Sequence, residues 1–289
     1  MAKPSPVRGL LIHVSHYDPV WWTAKTKEKP FDVAVACDVL DAMAAAGMNL
    51  LVVDCADGVK YRSHPELKRH YSVPMRDVKK LADRAHALGI DVAPKLNFAK
   101  SGRNLHDMWM HPWSDPLRWT CSLDKYYEVA ADCIAEVVDA CRPERFFHIG
   151  MDEDHFRSHA QYVDAIKTLR KIVKHHRLRT IVWNDACHYR KDALAQVHAD
   201  KCRDAEQHLP KDVVQVLWDY ARAHPGIVKR VRDEGFEVWV APGRDTKHLR
   251  TWRRAKPDGW LLTAWVKCER KHRRHLLELV NTLGPMLCG

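Results

Sequence analysis

Short apolar, β-branched runs alternate along this chain with longer stretches in which apolar residues recur every three or four positions. The first pattern predicts strands and the second amphipathic helices, because side chains alternate across a strand but line one face of a helix with period 3.6. Eight strands are predicted, at Gly9–Val14, Asn49–Val53, Asp91–Asn97, Arg145–Ile149, Thr180–Trp183, Val213–Leu217, Glu237–Val240 and Trp260–Ala264. Helices are predicted between and after them, near 32–46, 74–88, 123–141, 156–176, 191–206, 222–234, 245–255 and 271–283. Asp32 and Ser122 stand before apolar periodicity, where a short polar side chain caps free amides, and Gly47, Gly89 and Gly235 stand just after helices. Such alternation requires parallel strands joined by crossover helices. Eight units over about 250 residues predict one closed (β/α)8 TIM barrel, a single α/β domain spanning 1–289, rather than an open sheet.

Composition narrows the class without changing that fold. A chain of 289 residues with 46% hydrophobic content can bury a full core, and no Gly/Ser/Pro-rich linker divides it. The first apolar run, Leu10-Leu11-Ile12, is cut short by His13, unlike the long apolar segment of a secretory signal. No segment approaches the 18 uninterrupted apolar residues of a membrane span, so no membrane partner is expected. Nine cysteines without CxxC spacing read as reduced thiols, and a cytoplasmic protein is the expectation. A net charge of +10 would attract an anionic partner if the cations clustered. The densest run, Lys267 to Arg274, precedes an apolar helical pattern at Leu276, Leu277, Leu279 and Val280, and reads as the solvated opening of the last helix. Lys167, Arg170, Lys171 and Lys174 also fall at helical spacing, and no nucleic-acid-binding module accompanies the charge, so no nucleic acid is expected. The sequence leaves the oligomeric state open.

The candidate chemistry lies at the predicted C-terminal strand ends, where the loops of a barrel surround one mouth. The fourth strand runs into His148-Ile149-Gly150-Met151-Asp152-Glu153-Asp154, delivering adjacent carboxylates to that rim. Carboxyl groups commonly cleave glycosidic bonds, one of them holding a proton. Other strand ends supply His13, Ser15, His16, Tyr17 and Trp21-Trp22; Asp54 and Asp57; Lys95, Asn97, Lys100, His106 and Trp109; Trp183-Asn184-Asp185; Trp218-Asp219-Tyr220; Trp239 and Arg244; and Trp265, Lys267 and Glu269. At least five of the eleven tryptophans lie at these rims, and indole faces stack on sugar C–H faces while carboxylates, amides and basic groups bond the hydroxyls. His13, Asp57, Asn97, His106, His148, Asp185, Tyr220 and Lys267 are candidate substrate-binding groups on this basis.

These residues resemble glycoside hydrolase family 20, the β-N-acetylhexosaminidases, whose hallmark after barrel strand four is H-x-G-G-D-E. Here it reads His148-Ile149-Gly150-Met151-Asp152-Glu153. The run Arg8 to Tyr17 resembles the family's opening R-G-x-x-x-D-x-[AS]-R-[HN]-[FY], and Asn49 to Asp57, followed by Pro65-Glu66-Leu67, resembles its second strand and later P-E-L. Trp183-Asn184-Asp185, Val216 to Tyr220 and Gly259 to Trp265 are similar to the small, single-domain hexosaminidase D-like branch. The resemblance implies substrate-assisted retaining cleavage of terminal β-linked N-acetylhexosamine, without a cofactor or metal. Asp152 would orient the 2-acetamido group, Glu153 would protonate the leaving oxygen, Arg8 would bind sugar hydroxyls, and Trp183, Trp218 and Trp265 would wall the pocket.

The chain departs from the pattern at several points. Met151 replaces a small residue, His13 and His16 stand where the family has Asp and Arg, no Tyr follows strand seven, and Lys267 lies near the place of a sugar-binding Glu. The basic rim residues His16, Lys95, Lys100, Arg103, Arg244 and Lys267 raise the expectation of a sulfated or uronic-acid-containing glycan, unless Asp54, Asp57, Asp185 and Asp219 offset them. Two rival readings remain from the sequence. One is a metal-dependent barrel hydrolase using His13, His16, His148, Asp152, Asp154 and His155, and the other is a catalytically silent sugar-binding barrel.

Overall fold

The computed structural model describes residues 6–15, 28–100, 108–110, 123–188 and 192–287. Its strands β1 (Val7–His13), β2 (Leu50–Asp54), β3 (Asp91–Lys95), β4 (Phe146–His148), β5 (Arg179–Asn184), β6 (Val214–Trp218), β7 (Val238–Ala241) and β8 (Gly259–Lys267) close into a barrel. Every neighbouring pair is parallel, and β8 pairs back onto β1. Between and after the strands lie α1 (Val33–Ala45), α2 (Met75–Ala87), α3 (Leu123–Cys141), α4 (His159–His175), α5 (Ala193–His208), α6 (Pro225–Asp233), α7 (Thr246–Arg253) and α8 (Arg273–Leu283). The predicted barrel is thus the observed one.

Strands of such a barrel are covered on both faces, which is why they read as apolar runs rather than as alternating patterns. Outward-facing Leu10, Leu51, Val53, Val92 and Val182 join the helices in one large core. Inward-facing Leu11, Val52, Ala93, Phe146, Ile181, Val216, Trp239 and Leu261 form a second core inside the barrel. Trp239 fits there because its register partner on β8 is Gly259, where a Cβ would stand 2.6 Å from the indole.

Local chemistry sets the helix starts. Asp32 accepts from the Ala34 and Val35 amides to cap α1, and Ser158 and Gln161 form a reciprocal capping box on α4. Asp192 caps α5 by accepting from the Ala195 amide, and Asp245 caps α7 by accepting from the Lys247 and His248 amides. Ser122 lies outside the described residues.

The structure differs from the expectation in two places that bear on the mouth. Strand β8 extends to Lys267 rather than ending at Ala264, with a register shift against β1 between Leu11 and His13, so Trp265 and Lys267 belong to the barrel wall. Between β2 and α2 stands a small parallel pair, Val59–Lys60 with Val73–Pro74, whose two-residue strands are too short to show periodicity. No described helix is long and apolar enough to cross a membrane. The seven described cysteines are free.

Candidate active site

Register brings the first four strand ends into one inward-facing row: His13 pairs with Asp54, Asp54 with Lys95, and Lys95 with His148. All four are fully buried. Lys95 Nζ lies 2.5 Å from Asp54 Oδ2, and His13 Nδ1 lies 3.2 Å from the same oxygen. Burial alone would raise the Asp54 carboxyl, but the Lys95 cation and His13 outweigh it and hold the group far below the usual carboxylate range. Burial, reinforced by Lys95, pushes His148 well below the usual histidine range. His148 is therefore neutral at pH 7. Its Nδ1 accepts from the Gly150 amide at 3.0 Å, which leaves the proton on Nε2.

The turn after β4 is the centre of the site. Gly150, Met151 and Glu153 have φ of 73°, 81° and 51°, a left-handed path that side chains other than glycine disfavour. Gly150 is obligatory, since a Cβ there would stand 2.0 Å from Asn97 Oδ1. Asn97, on the loop after β3, clamps one side of the turn. Its Oδ1 accepts from the Met151 and Ala99 amides, each at 3.1 Å, and its Nδ2 donates to Asp152 Oδ1 at 2.7 Å. Asp185, in the turn after β5, clamps the other side by accepting from the Glu153 amide at 2.7 Å. Asp152 is buried and Glu153 half-buried, and the charges of both act on Asp185 and Tyr220 in the mouth. Behind them, Asp154 binds the Lys100 amide, Arg157 and Lys201.

An aromatic wall faces this turn. Trp183 on β5 packs against His148 with ring centroids 4.8 Å apart, and against Trp265 on β8 at 6.3 Å. Trp265 also packs on His13 and donates from Nε1 to the Tyr220 hydroxyl at 2.7 Å. Trp218 at the end of β6 packs against Tyr220, and its Nε1 donates to Asp185 Oδ1 at 2.8 Å. Two donors, His148 Nε2 and Trp183 Nε1, are buried and have no hydrogen-bond partner among the described residues. Burial and the nearby Asp152 and Glu153 charges raise the Tyr220 hydroxyl, which stays protonated.

Asp185 is the most perturbed carboxyl in the mouth. Burial first, then the charges of Asp152 and Glu153, push it up to about 7, against the lowering effect of its two hydrogen bonds.

The structure brings together Asp152, Glu153, Asn97, His13, His148, Trp183, Asp185, Trp218, Tyr220 and Trp265 of the expected set. Of these, His13, His148, Trp183 and Asp185 were expected to touch sugar but are buried at 0–1% exposure and line the site from behind, and three further expected sugar contacts fall elsewhere. Arg8 lies at the opposite end of the barrel, where its Nε donates to the Gly47 carbonyl at 2.7 Å and a sugar in the mouth is beyond its reach. Asp57 is buried with both oxygens occupied, one by Ser15 Oγ and the other by Tyr71 Oη, so it locks the loop after β2. Lys267 turns its ammonium to the Lys29 carbonyl and to Glu28, fastening residues 28 and 29 to β8. His106, with His16 and Arg103, lies outside the described residues.

Of the basic rim residues, two lie beside a carboxylate within the protein. Asp54 offsets Lys95, Glu28 lies beside Lys267, Lys100 is buried over the Tyr126 ring, and Arg244 is exposed beyond β7. Among the described residues no three His, Cys, Asp or Glu side chains form a group able to hold a metal ion. Lys201, which the sequence reading missed, staples the loop after β4 by donating to the Asp154 and Arg157 carbonyls. Nothing in its own helical pattern marks it.

Fold and mouth together define a (β/α)8 barrel with adjacent carboxylates in the turn after β4 and an aromatic wall facing them. Among solved structures the same fold occurs in family 20 β-hexosaminidases. Dispersin B is 12% identical with a TM-score of 0.63, over 99% of this chain and 100% of that one. The Flavobacterium johnsoniae chitobiase is 15% identical with a TM-score of 0.60, over 98% of this chain but 52% of that one. A mutant Streptomyces plicatus β-hexosaminidase in complex with its product GlcNAc is 17% identical with a TM-score of 0.59, over 83% of this chain and 48% of that one. This chain thus spans about half the length of the latter two. No family model matches its sequence, and no curated protein is similar to it at the sequence level.

Proposed function

We propose that this protein is a family 20-type glycoside hydrolase that releases a terminal β-linked N-acetylhexosamine by substrate-assisted, retaining catalysis. The observation that carries this reading is the clamped turn presenting Asp152 and Glu153 together. A double displacement by two enzyme carboxyls needs them on opposite sides of the sugar, about 5 Å apart, whereas a nucleophile supplied by the sugar needs both protein carboxyls near one face. Asp152, held by Asn97, accepts the acetamido N–H and turns the carbonyl oxygen onto the anomeric carbon. The carbonyl oxygen bonds to that carbon as the glycosidic C–O bond breaks, and Glu153 gives its proton to the leaving oxygen. Water then opens the cyclic intermediate, with Glu153 taking its proton back, and configuration is retained.

The wall supports the substrate class. Trp218 and Trp265, both partly exposed, offer apolar faces to a sugar ring, with Tyr220 beside them, while Trp183 and His148 are buried behind this surface and back it. The bound GlcNAc of the Streptomyces plicatus structure points to the same class of ligand. Since Lys95 and Lys267 are offset internally, we assign a neutral amino sugar rather than a sulfated or uronic-acid-containing one. The seven described cysteines are thiols rather than disulfides, which supports a reducing, cytoplasmic setting.

Assay against aryl β-GlcNAc, β-GalNAc, β-glucoside and 6-sulfated GlcNAc tests the assignment. Turnover of the plain N-acetylhexosaminides is expected, with no salt-sensitive advantage for the sulfated sugar. Glu153→Gln should lower kcat by roughly 10²–10⁴-fold with melting unchanged. A folded wild-type protein inert to the whole panel would favour the silent sugar-binding barrel.

A further inference from the structure

Asp185 stood among the residues expected to touch sugar, yet both its oxygens are already engaged by protein donors and it is 1% exposed. Its Oδ2 takes the Glu153 amide and its Oδ1 takes the Trp218 indole, groups from two different strand ends. Each needs such a partner. Glu153 sits at φ 51°, a conformation that costs free energy unless the surroundings hold it. The Trp218 ring is otherwise steered by His188, from the same turn as Asp185, at 3.8 Å between ring centroids.

The turn carrying Asp185 is itself anchored. The Asp185 amide donates to Cys202 Sγ on α5, and Asn184 beside it bonds Glu206 and Gln215. A single rigid carboxyl therefore ties the acid's backbone to one face of the sugar wall. We propose that Asp185 is a positioning residue, which sets the aim of Glu153 and the tilt of Trp218 through one pair of hydrogen bonds without touching substrate. This rests on the hexosaminidase reading for its catalytic consequence, but the coupling itself does not.

The groups facing Asp185 are Asp152 and Glu153 from the turn after β4, Tyr162 from α4, Cys202 from α5 and the uncharged Trp218 from β6. With two carboxylates so close, Asp185 exchanges its proton near neutrality, and its ionisation must be felt at both donors it binds.

Two measurements test this. In protein labelled with ¹⁵N at the tryptophan indoles, the Nε1–H signal assigned to Trp218 by Trp218→Phe should titrate near pH 7, and Asp185→Asn should abolish that titration. Asparagine presents one acceptor where two donors converge, so Asp185→Asn should also lower kcat roughly 10- to 100-fold on the preferred aryl glycoside, with KM within about threefold. A Trp218 signal that ignores pH from 5 to 9 would overturn the proposal. So would a large rise in KM with kcat retained, which would make Asp185 a sugar ligand. If the wild-type enzyme turns over no glycoside, the hexosaminidase reading fails, and the indole titration, which needs neither variant activity nor substrate, still decides the coupling.

Discussion

At the scale of single residues, Met151 is the sharpest departure from the pattern around it. It occupies φ 81° while fully buried, with its amide on Asn97 and its carbonyl accepting from Tyr162. The family hallmark has glycine at this place, and a left-handed conformation costs a side chain about 1–2 kcal/mol. Truncating Met151 to alanine or to glycine removes the same packing to within a methyl group. The backbone then decides between them. Met151→Gly should be more stable than Met151→Ala by about 1 kcal/mol in urea denaturation, the reverse of the usual order at a buried position. An alanine variant as stable as the glycine one would mean that the turn relaxes to negative φ. The carboxylate pair was legible in the sequence because Asp152 and Glu153 are adjacent. What aims them was not, because Asn97 and Asp185 approach the turn only when the barrel closes. Arg8 was misread because a linear motif does not reveal which end of its strand a side chain serves.

At the scale of elements, the strands were legible because burial on both faces leaves an unbroken apolar run, and most predicted ends fall within one or two residues of those observed. The short sheet after β2 and the long β8 were not, since one is too brief for a pattern and the other continues into polar residues that read as loop. The row across β1 to β4 needs the register of four strands at once. Its stability rests on pairing: Lys95 and Asp54 are both fully buried, so removing either leaves an uncompensated charge. Lys95→Met should cost about 3–5 kcal/mol by chemical denaturation. Adding Asp54→Leu should restore much of that loss, because a buried pair replaced by apolar groups of similar size is often neutral. If the double variant stays as unstable as the single one, the row contributes through specific hydrogen bonds rather than through charge compensation.

At the scale of the whole molecule, the net charge of +10 is not concentrated on the row beneath the mouth, where Asp54 offsets Lys95. Part of it lies at the far end, around a cavity of about 950 Å³ whose lining includes Arg145, Arg177, Arg179, Arg232 and Lys256, together with Glu144, Glu237 and Asp258. The response to pH combines two opposite contributions. The depressed Asp54 carboxyl stabilises the fold above the usual aspartate range, and that contribution is lost as pH falls through and below it. Asp185 has the other sign. Its folded form holds a proton that the unfolded chain gives up near 3.8, so its contribution is complete below that value and is lost as pH rises through about 7. Thermal melts at pH 5 and pH 8 should therefore show Asp185→Asn gaining on the wild type at the higher pH, whatever the variant's baseline. A constant gap would place Asp185's proton affinity near that of an ordinary aspartate. The clamped turn also bears on inheritance. Residues 148–154 look like a portable cassette, since they hold both proposed reacting carboxyls in one short stretch of chain. Their aim, however, is encoded elsewhere: Asn97 belongs to the third strand's loop, Asp185 to the fifth's, and the indole that shares Asp185 to the sixth. Copied alone into another barrel, the cassette would carry its reagents and leave behind the scaffold that orients them. Four strand ends must therefore change in concert for such a site to arise or to drift.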